Sequence, residues 1–393
     1  IATYEMGRQP FGLASPAAWL SQAGHTVTCC DLAVSSPSSP EIEAADVIGF
    51  HLPMHTAARL AAPWIGQLRR ARPEVAIVCY GLYAPLNESY LRQLGANHVL
   101  GGEFEADLVR IANGDAPTSA STLERLAFVT PQRDSLVPLA HYAQLDVAGS
   151  RRLVGYTEAT RGCKHLCRHC PVVPVYQGAF RVVPIPVVLA DIRQQVARGA
   201  QHITFGDPDF WNGPTHAARL VDALHAEFPS LTYDVTIKVE HLLHHRHLLP
   251  QLKSTGCLFV TSAVESLDDQ VLAQLDKGHT RADFLAAAHL LREEGLELAP
   301  TFIAFHPWTT RDSYRDLLST LRELDLIANT SSVQLALRLL LPSGSLLLDL
   351  PEIQALVTGF DPAGLLHRWR HPDPALDQLA DAARGLSFRE DGP

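Results

Sequence analysis

Three cysteines, Cys163, Cys167 and Cys170, stand in the order C-x3-C-x2-C within residues 158–171, EATRGCKHLCRHCP. Cluster iron takes thiolate ligands, so three thiols on one short loop can hold three irons of a [4Fe–4S] cube and leave the fourth iron open. An open iron can accept a small molecule that carries an amine and a carboxylate, and S-adenosylmethionine (SAM) carries both. Zinc is the competing reading: a structural zinc takes four ligands, and His165 or His169 could supply the one that the cysteines lack. A disulfide framework fits poorly, because seven cysteines leave one over.

Further candidates recur downstream. Asp207 and Asp209, in GDPDFWN (206–212), are two carboxylates one residue apart. They could receive an ammonium group, or form an Asx turn and a helix cap. Lys238 and Glu240 alternate onto one face, as an ion pair or as contacts for the carboxylate and ribose of SAM. Ser266, in AVESLDD (263–269), reads equally as a ligand contact and as a helix N-cap. Further turns are marked by KGHT (277–280), FHPWTT (305–310) and LPSGS (341–345), the last with a glycine that lets backbone approach a ligand. His241 and His245 are one helical turn apart, but no carboxylate stands at a matching position to complete a metal site. Cys29 and Cys30 are neighbours on an expected strand and point to opposite faces. With Cys79 and Cys257 they read as small buried hydrophobes.

The elements that must position these residues form two series. Strands are expected at 26–31, 46–50, 74–80 and 97–102, with helices between them such as 57–72, so residues 1–115 predict a Rossmann-like, doubly wound parallel sheet. Ligands of such sheets sit at the carboxyl ends of the strands, here near His51, Gly81 and Gly101. Residues 116–150 read as a linker. Strands are then expected at 153–157, 202–205, 232–239, 258–263, 298–305 and 333–339, with helices such as 186–198 and 281–294. Six such units over 151–350 predict a partial (β/α)6 TIM-type barrel, whose chemistry belongs at the carboxyl ends of its strands. The cysteine loop follows the first of them. Residues 351–393 read as a tail with one helix, 374–384.

Composition bounds the rest. The chain has 393 residues, of which 47% are hydrophobic, enough for two α/β domains. A net charge of −10 argues against a nucleic-acid partner. No apolar run reaches the roughly 18 residues of a membrane span, and no secretory signal is evident. Free thiols and a cluster loop predict a reducing cytoplasm, and the lack of a long apolar run predicts no membrane partner.

The pattern E-x-T-R-G-C-x3-C-x2-C-P, the aspartate-rich motif after the second barrel strand, ESLDD followed by KGHT, and the PWTT and PSGS turns resemble those of the radical SAM superfamily over residues 152–350. The resemblance implies a [4Fe–4S] cluster on Cys163, Cys167 and Cys170. It also implies SAM held near Asp207, Asp209, Lys238, Glu240 and Ser266, and an electron donor of flavodoxin or ferredoxin type. Residues 1–115 resemble the cobalamin-binding domain often placed before such barrels, through DVIG (46–49), the 73–81 strand and GGEFE (101–105). They lack D-x-H-x-x-G, so no histidine is marked as a lower cobalt ligand. Cobalamin near His51, Gly81 and Gly101, or an empty crevice, are both open. Residues 158–181 and 206–212 are most similar to the CUAEP/CCAEP-tail radical SAM proteins, which are named for a cysteine- or selenocysteine-bearing tail. This sequence has no cysteine after Cys257. A thiol-rich tail would suit a thiophilic substrate such as arsenite, and the chain is also similar to the radical SAM enzyme of arsinothricin synthesis. The function so implied is SAM cleavage with alkyl transfer to a small molecule, either cobalamin-assisted methylation or transfer of the 3-amino-3-carboxypropyl group to arsenite. The competing class is a non-enzymatic iron–sulfur or zinc protein.

Overall fold

The computed structural model describes residues 1–119 and 121–390. They fall into two compact units. The first comprises residues 1–164, 171–206 and 362–365; the second comprises 165–170, 207–361 and the chain from 366 onward.

In the first unit, β1 (Val47–His51), β2 (Ala76–Tyr80), β3 (His98–Gly102) and β4 (Ser121–Thr122) lie side by side in that order, all parallel. Successive side chains of a strand point to opposite faces, and β2 uses both. Ile77 and Cys79 pack with Phe50, Ile65 and Leu91, while Val78 and Tyr80 pack with Leu100, Leu108 and Ile111. The first cluster takes in the helices His55–Ala71 and Glu88–Leu94, and the second the helix Glu105–Ala112. A parallel sheet covered on both faces is the doubly wound arrangement. Residues 26–31 do not form the expected strand. Asp31 makes a single parallel bridge, to Ala2, and one bridging residue gives the segment no ladder to share.

The 116–150 stretch is more ordered than its composition predicts. It holds β4, a 3₁₀ turn at Leu139–His141 and β5 (Gln144–Val147), which pairs antiparallel with β6 (Ser150–Thr157). The two residues between them, Ala148 and Gly149, both have positive φ, as a type I′ hairpin turn demands. Arg133, from the same stretch, is 1% exposed. Its guanidinium donates to both carboxylate oxygens of Asp191 (2.6 and 2.8 Å), to Gln9 Oε1 (2.7 Å) and to the Tyr156 carbonyl (2.7 Å). Thr157 Oγ1 also donates to Asp191 (2.7 Å). The supposed linker is thereby fastened to β6 and to the helix Ile185–Ala197.

After β6 come β7 (Thr160–Gly162) and β8 (Phe180–Val182), an antiparallel pair that brackets the cysteine loop and the short helix Val172–Tyr176. Gly162, directly before Cys163, has φ +74°, and a Cβ there would lie 2.4 Å from the Tyr176 ring and 2.5 Å from the Ala179 carbonyl oxygen. No other residue fits. β9 (His202–Phe205) then pairs parallel with β6.

The second unit contains β10 (Thr232–Thr236), β11 (Cys257–Glu265) and β12 (Glu297–Phe302), all parallel, with helices Pro214–Glu227, Arg281–Glu293 and Arg311–Glu323 among the connections. The expected sixth barrel strand, 333–339, is instead a 3₁₀ turn at Ser332–Leu335 followed by one parallel bridge between Arg338 and Phe305. The turn consumes the residues that a strand would need. The tail adds an antiparallel hairpin, β13 (Val357–Asp361) and β14 (Leu366–Trp369), and the helix Pro374–Glu390. Among the described residues no helix is long and apolar enough to cross a membrane.

Breaking the buried Arg133–Asp191 pair from one side should be costly, because the remaining charge has no water to return to. Arg133→Leu should destabilise the first unit by about 3–5 kcal/mol, read as a lowered urea midpoint. Arg133→Leu with Asp191→Leu should recover much of that loss. A single variant as stable as wild type would refute the staple.

Candidate active site

The cysteine loop is anchored separately in each unit. In the first, Arg161, two residues before Cys163, is buried among three carboxylates. Its guanidinium lies 2.6 Å from Glu105, 3.2 Å from Glu103 and 3.0 Å from Glu158, and it donates to Ser15 Oγ at 3.1 Å. Burial pushes the Glu103 carboxyl up, against the pull of Arg161. Arg161 itself is held above its ordinary value by Glu105, Glu158 and Glu103, although burial opposes this.

In the second unit, the loop residues between the cysteines are held one by one. The Arg168 amide donates to the Leu275 carbonyl at 2.9 Å, and its guanidinium to the Ala273 and Gln274 carbonyls at 3.2 and 2.8 Å. Ser345, of the PSGS turn, donates to the Arg168 carbonyl at 3.4 Å. His169 pairs with Glu265 at 3.0 Å, and Lys277 reaches the same carboxylate oxygen at 3.4 Å. Glu265 stands where β11 slips register against β12, and its φ is +69°. A bulge and a left-handed residue re-aim a side chain at a backbone cost; here they deliver a carboxylate to the loop. Burial disfavours that charge, yet Lys277 and His169 hold Glu265 down at about 2. The motifs ESLDD and PSGS therefore reach residues 168–169, and KGHT joins them through Lys277 and Glu265. Cys163 and Cys167 are buried and Cys170 is half-buried, and none of the three is in a disulfide.

The other sequence candidates divide. Asp209 is wholly buried and occupied: its Oδ1 accepts from the Trp211 amide (3.2 Å), capping the 3₁₀ turn Phe210–Asn212, and its Oδ2 lies 2.6 Å from His241 Nδ1. Asp207 is 2% exposed. Lys238 and Glu240 form an ion pair at 3.3 Å. Gly278 (φ +74°) comes so close that a Cβ there would lie 2.8 Å from Glu240. Burial raises and Lys238 lowers the Glu240 carboxyl, with a net fall. Ser266 is not a helix cap: Asp268 caps the helix Asp269–Gln274, and the Ser266 hydroxyl accepts from the Asp268 amide at 3.1 Å. Thr280 and Thr310, which end the KGHT and PWTT motifs, cap their helices through capping boxes.

The sequence offers His165 only as a zinc ligand beside the cysteines. It stands with Asp209 and His241 instead, its Nε2 3.6 Å from Asp209 and 3.3 Å from His241 Nε2. The carboxylate missing beside His241 in the sequence comes from 32 residues upstream. Sequence spacing shows no sign of it, since Asp209 and His241 end different βα units. Glu265 and Lys277 were each inside a noted motif, but nothing in the order of residues pairs them.

In the first unit, His51, Gly81 and Gly101 are packed inward. His51 Nδ1 lies 2.6 Å from Glu5, its ring lies against Gly12 and Tyr80, Gly81 abuts Leu52, and Gly101 abuts Pro85. A cavity of about 670 Å³ lies elsewhere, among residues 24–30, 40–49 and the helix Phe11–Gln22.

Residues 157–321 match the model of the radical SAM superfamily. Among curated proteins, the chain is 25% identical over 284 residues to the tRNA-2-methylthio-N(6)-dimethylallyladenosine synthase of Sorangium cellulosum, covering 66% of this chain and 57% of that protein. It is 23% identical over 187 residues to the ribosomal protein uS12 methylthiotransferase RimO of Parabacteroides distasonis, covering 44% and 42%. The chain thus spans about half the length of these relatives. Among solved structures it resembles the radical SAM methyltransferase TsrM of Kitasatospora setae, with tryptophan substrate and a SAM analogue bound: TM-score 0.72, 15% identity, 96% of this chain and 86% of that one. It also resembles the cobalamin-dependent radical enzyme OxsB with aqua-cobalamin and SAM bound, at TM-score 0.70 and 13% identity, over 97% of this chain and 65% of that one. The shared fold is mixed α/β, a Rossmann-like parallel sheet followed by a curled half-barrel.

Two buried histidines of the second unit carry a pH prediction. Burial pushes His306 down to about 4, and burial with Lys277 and Lys238 does the same to His279. The unfolded chain takes up these protons near pH 6.5 and the folded one only near 4, so their contribution is complete above about 6.5 and falls as pH drops toward 4. The urea midpoint should therefore decline from pH 7.5 to 5, and His306→Gln should shallow that decline. An unchanged slope in the variant would remove His306 from the account.

Proposed function

We propose that this chain is a radical SAM enzyme that cleaves SAM on a [4Fe–4S] cluster and transfers an alkyl group to a small molecule; the match of residues 157–321 to that superfamily's model supports the reading. The observation that carries the reading is the loop with Cys163, Cys167 and Cys170, none of them in a disulfide, its intervening residues fixed by Arg168 and by the Glu265 pairing. The thiols suit a cluster, and a loop held at these points is organised before a cluster enters it. Cluster and SAM together supply, after one-electron reduction, the cleavage of a carbon–sulfur bond.

The chain's own residues then have separable tasks. Asp207 or Asp209 receives the ammonium of SAM, with Trp211 and His241 already beside the oxygens of Asp209. A charged amine brought into a buried mouth needs such an acceptor. Lys238 faces the SAM carboxylate, Glu240 the ribose hydroxyls, and Ser266 adds a hydroxyl at the neighbouring strand end. Glu265 keeps His169, between two of the cysteines, in place. The net charge of −10 favours a small-molecule substrate over RNA.

Cobalamin in the first unit, and with it methylation as the transfer, rests on likeness of fold to enzymes that carry it. His51 is already paired with Glu5 and buried, so it is not offered as a lower cobalt ligand. Cobalt bound after reconstitution with hydroxocobalamin, with no histidine ligation in its spectrum, is the expected result. No retained cobalt would leave a cobalamin-independent alkyl transfer, and the aminocarboxypropyl reaction becomes the one to test.

Cys163→Ala, Cys167→Ala and Cys170→Ala should each lose cluster iron and SAM cleavage, whereas Cys79→Ala should keep both; full iron and activity in any of the first three would end the assignment. Asp207→Asn should weaken SAM binding by about 10–100-fold, the range for losing a charged hydrogen bond, while iron content stays full. Calorimetric titration reads the first and iron analysis the second. The nucleoside product identifies the bond cleaved: 5′-deoxyadenosine or S-adenosylhomocysteine for the methylation reading, 5′-methylthioadenosine for aminocarboxypropyl transfer. None of them, from cluster-loaded and reduced protein, would favour a non-enzymatic iron–sulfur protein.

A further inference from the structure

We propose that His165, His241 and Asp209 form a second metal site, separate from the cysteines, that holds one zinc-like divalent ion. The three residues offer ligand atoms within 4.8 Å of one another. His165 Nε2 and His241 Nε2 face each other at 3.3 Å. Two imidazole nitrogens bound to zinc at 2.0–2.1 Å across a tetrahedral angle stand about 3.3 Å apart. Two imidazoles brought together without an ion can share one hydrogen bond at most. The remaining nitrogens strengthen the case. His241 Nδ1 and Asp209 Oδ2 lie 2.6 Å apart, yet neither makes a hydrogen bond, so both are buried polar atoms that lack one. His165 Nδ1 has Glu240 Oε2 at 3.8 Å, a second carboxylate on the matching side. Asp209 Oδ2 is also 3.6 Å from His165 Nε2, near enough to close on an ion as a third ligand.

The site is built rather than incidental. Asp209 is fully buried and His241 is 4% exposed. Asp209 is fixed by the Trp211 amide, and the His241 ring packs at a tilt of 49° against His245, ring centroids 5.6 Å apart. Two imidazoles and one carboxylate leave one tetrahedral position for water or for an amine or carboxylate of the substrate, the open arrangement of catalytic rather than structural zinc. This site does not depend on the assignment of the cysteines to a cluster, and the test keeps the two apart.

Cluster-loaded protein equilibrated with zinc chloride and desalted should retain one zinc per chain beside its iron. The zinc X-ray absorption spectrum should show nitrogen and oxygen neighbours near 2.0–2.1 Å and no sulfur near 2.3 Å. His241→Ala, His165→Gln and Asp209→Asn should each lose that zinc while keeping the iron, and His245→Ala should retain it. A sulfur shell would mean that the cysteine loop took the zinc, and would overturn the proposal. So would zinc retained equally by His241→Ala, or no zinc retained by wild type. A variant that lost iron as well would be replaced by His241→Gln, for which zinc loss with iron retained is again the expected result and retained zinc the contrary one.

Discussion

A single guanidinium stands against three carboxylates at the entrance to the cysteine loop, and the geometry of the first unit follows from satisfying it. Arg161 cannot lose its proton, so its burial is tolerable only with acids around it. Glu103 and Glu105 come from the end of β3 and the helix after it, Glu158 from the turn before β7, and Ser15 from the helix Phe11–Gln22. Four separate pieces of chain must converge for one side chain to be buried. That convergence fixes where β7 begins, and β7 delivers Gly162 and then Cys163. Three acids stand on one base, and burial pushes the Glu103 carboxyl up.

The second unit solves the same problem by a different device. Where Arg161 gathers acids, Glu265 gathers bases, and it reaches them from a bulged, left-handed position at the end of β11. Both devices act on residues adjacent to cysteines and not on the cysteines themselves. The backbone around the cysteines is thereby constrained. His165 follows the same logic, since its neighbours Asp209 and His241 are held by their own contacts before it joins them.

The fold was legible wherever a segment had a two-sided or one-sided apolar pattern with a clear length. Strands β1, β2, β3, β6, β9, β10, β11 and β12 stand within a few residues of their expected places, because burying alternate residues on two faces leaves a strong imprint on the chain. Two segments misled. Residues 26–31 are rich in β-branched residues but have one bridging partner, and 333–339 spends its first residues on a turn. The linker misled in the other direction: a staple through one arginine has no periodicity to detect. In the candidate site the residue types could be read, but the pairings could not. Which acid serves Lys277, Arg161 or His241 is decided by the register of neighbouring strands and by loop closure over long sequence distances. The sequence alone therefore left Asp209 open as a SAM contact, whereas its geometry turns it toward histidines.

Arg133 bears on how such chains can be recombined. Residues 116–150 look like a natural splice point, where an evolutionary exchange or a laboratory chimera would join one sheet domain to another barrel. The seam is not neutral. Its arginine completes a polar cluster whose acceptors are Gln9 in the amino-terminal segment, Tyr156 in the first barrel strand and Asp191 in the helix beyond. A foreign linker of equal length would leave Asp191 as a solitary charge in the interior, and a foreign amino-terminal segment would take away the amide that Gln9 supplies. Inheritance at this boundary is thus constrained to travel in threes: start of chain, connector and first βα unit together. Two chains that share only the barrel motifs need not be interchangeable at the point where their sequences look most permissive.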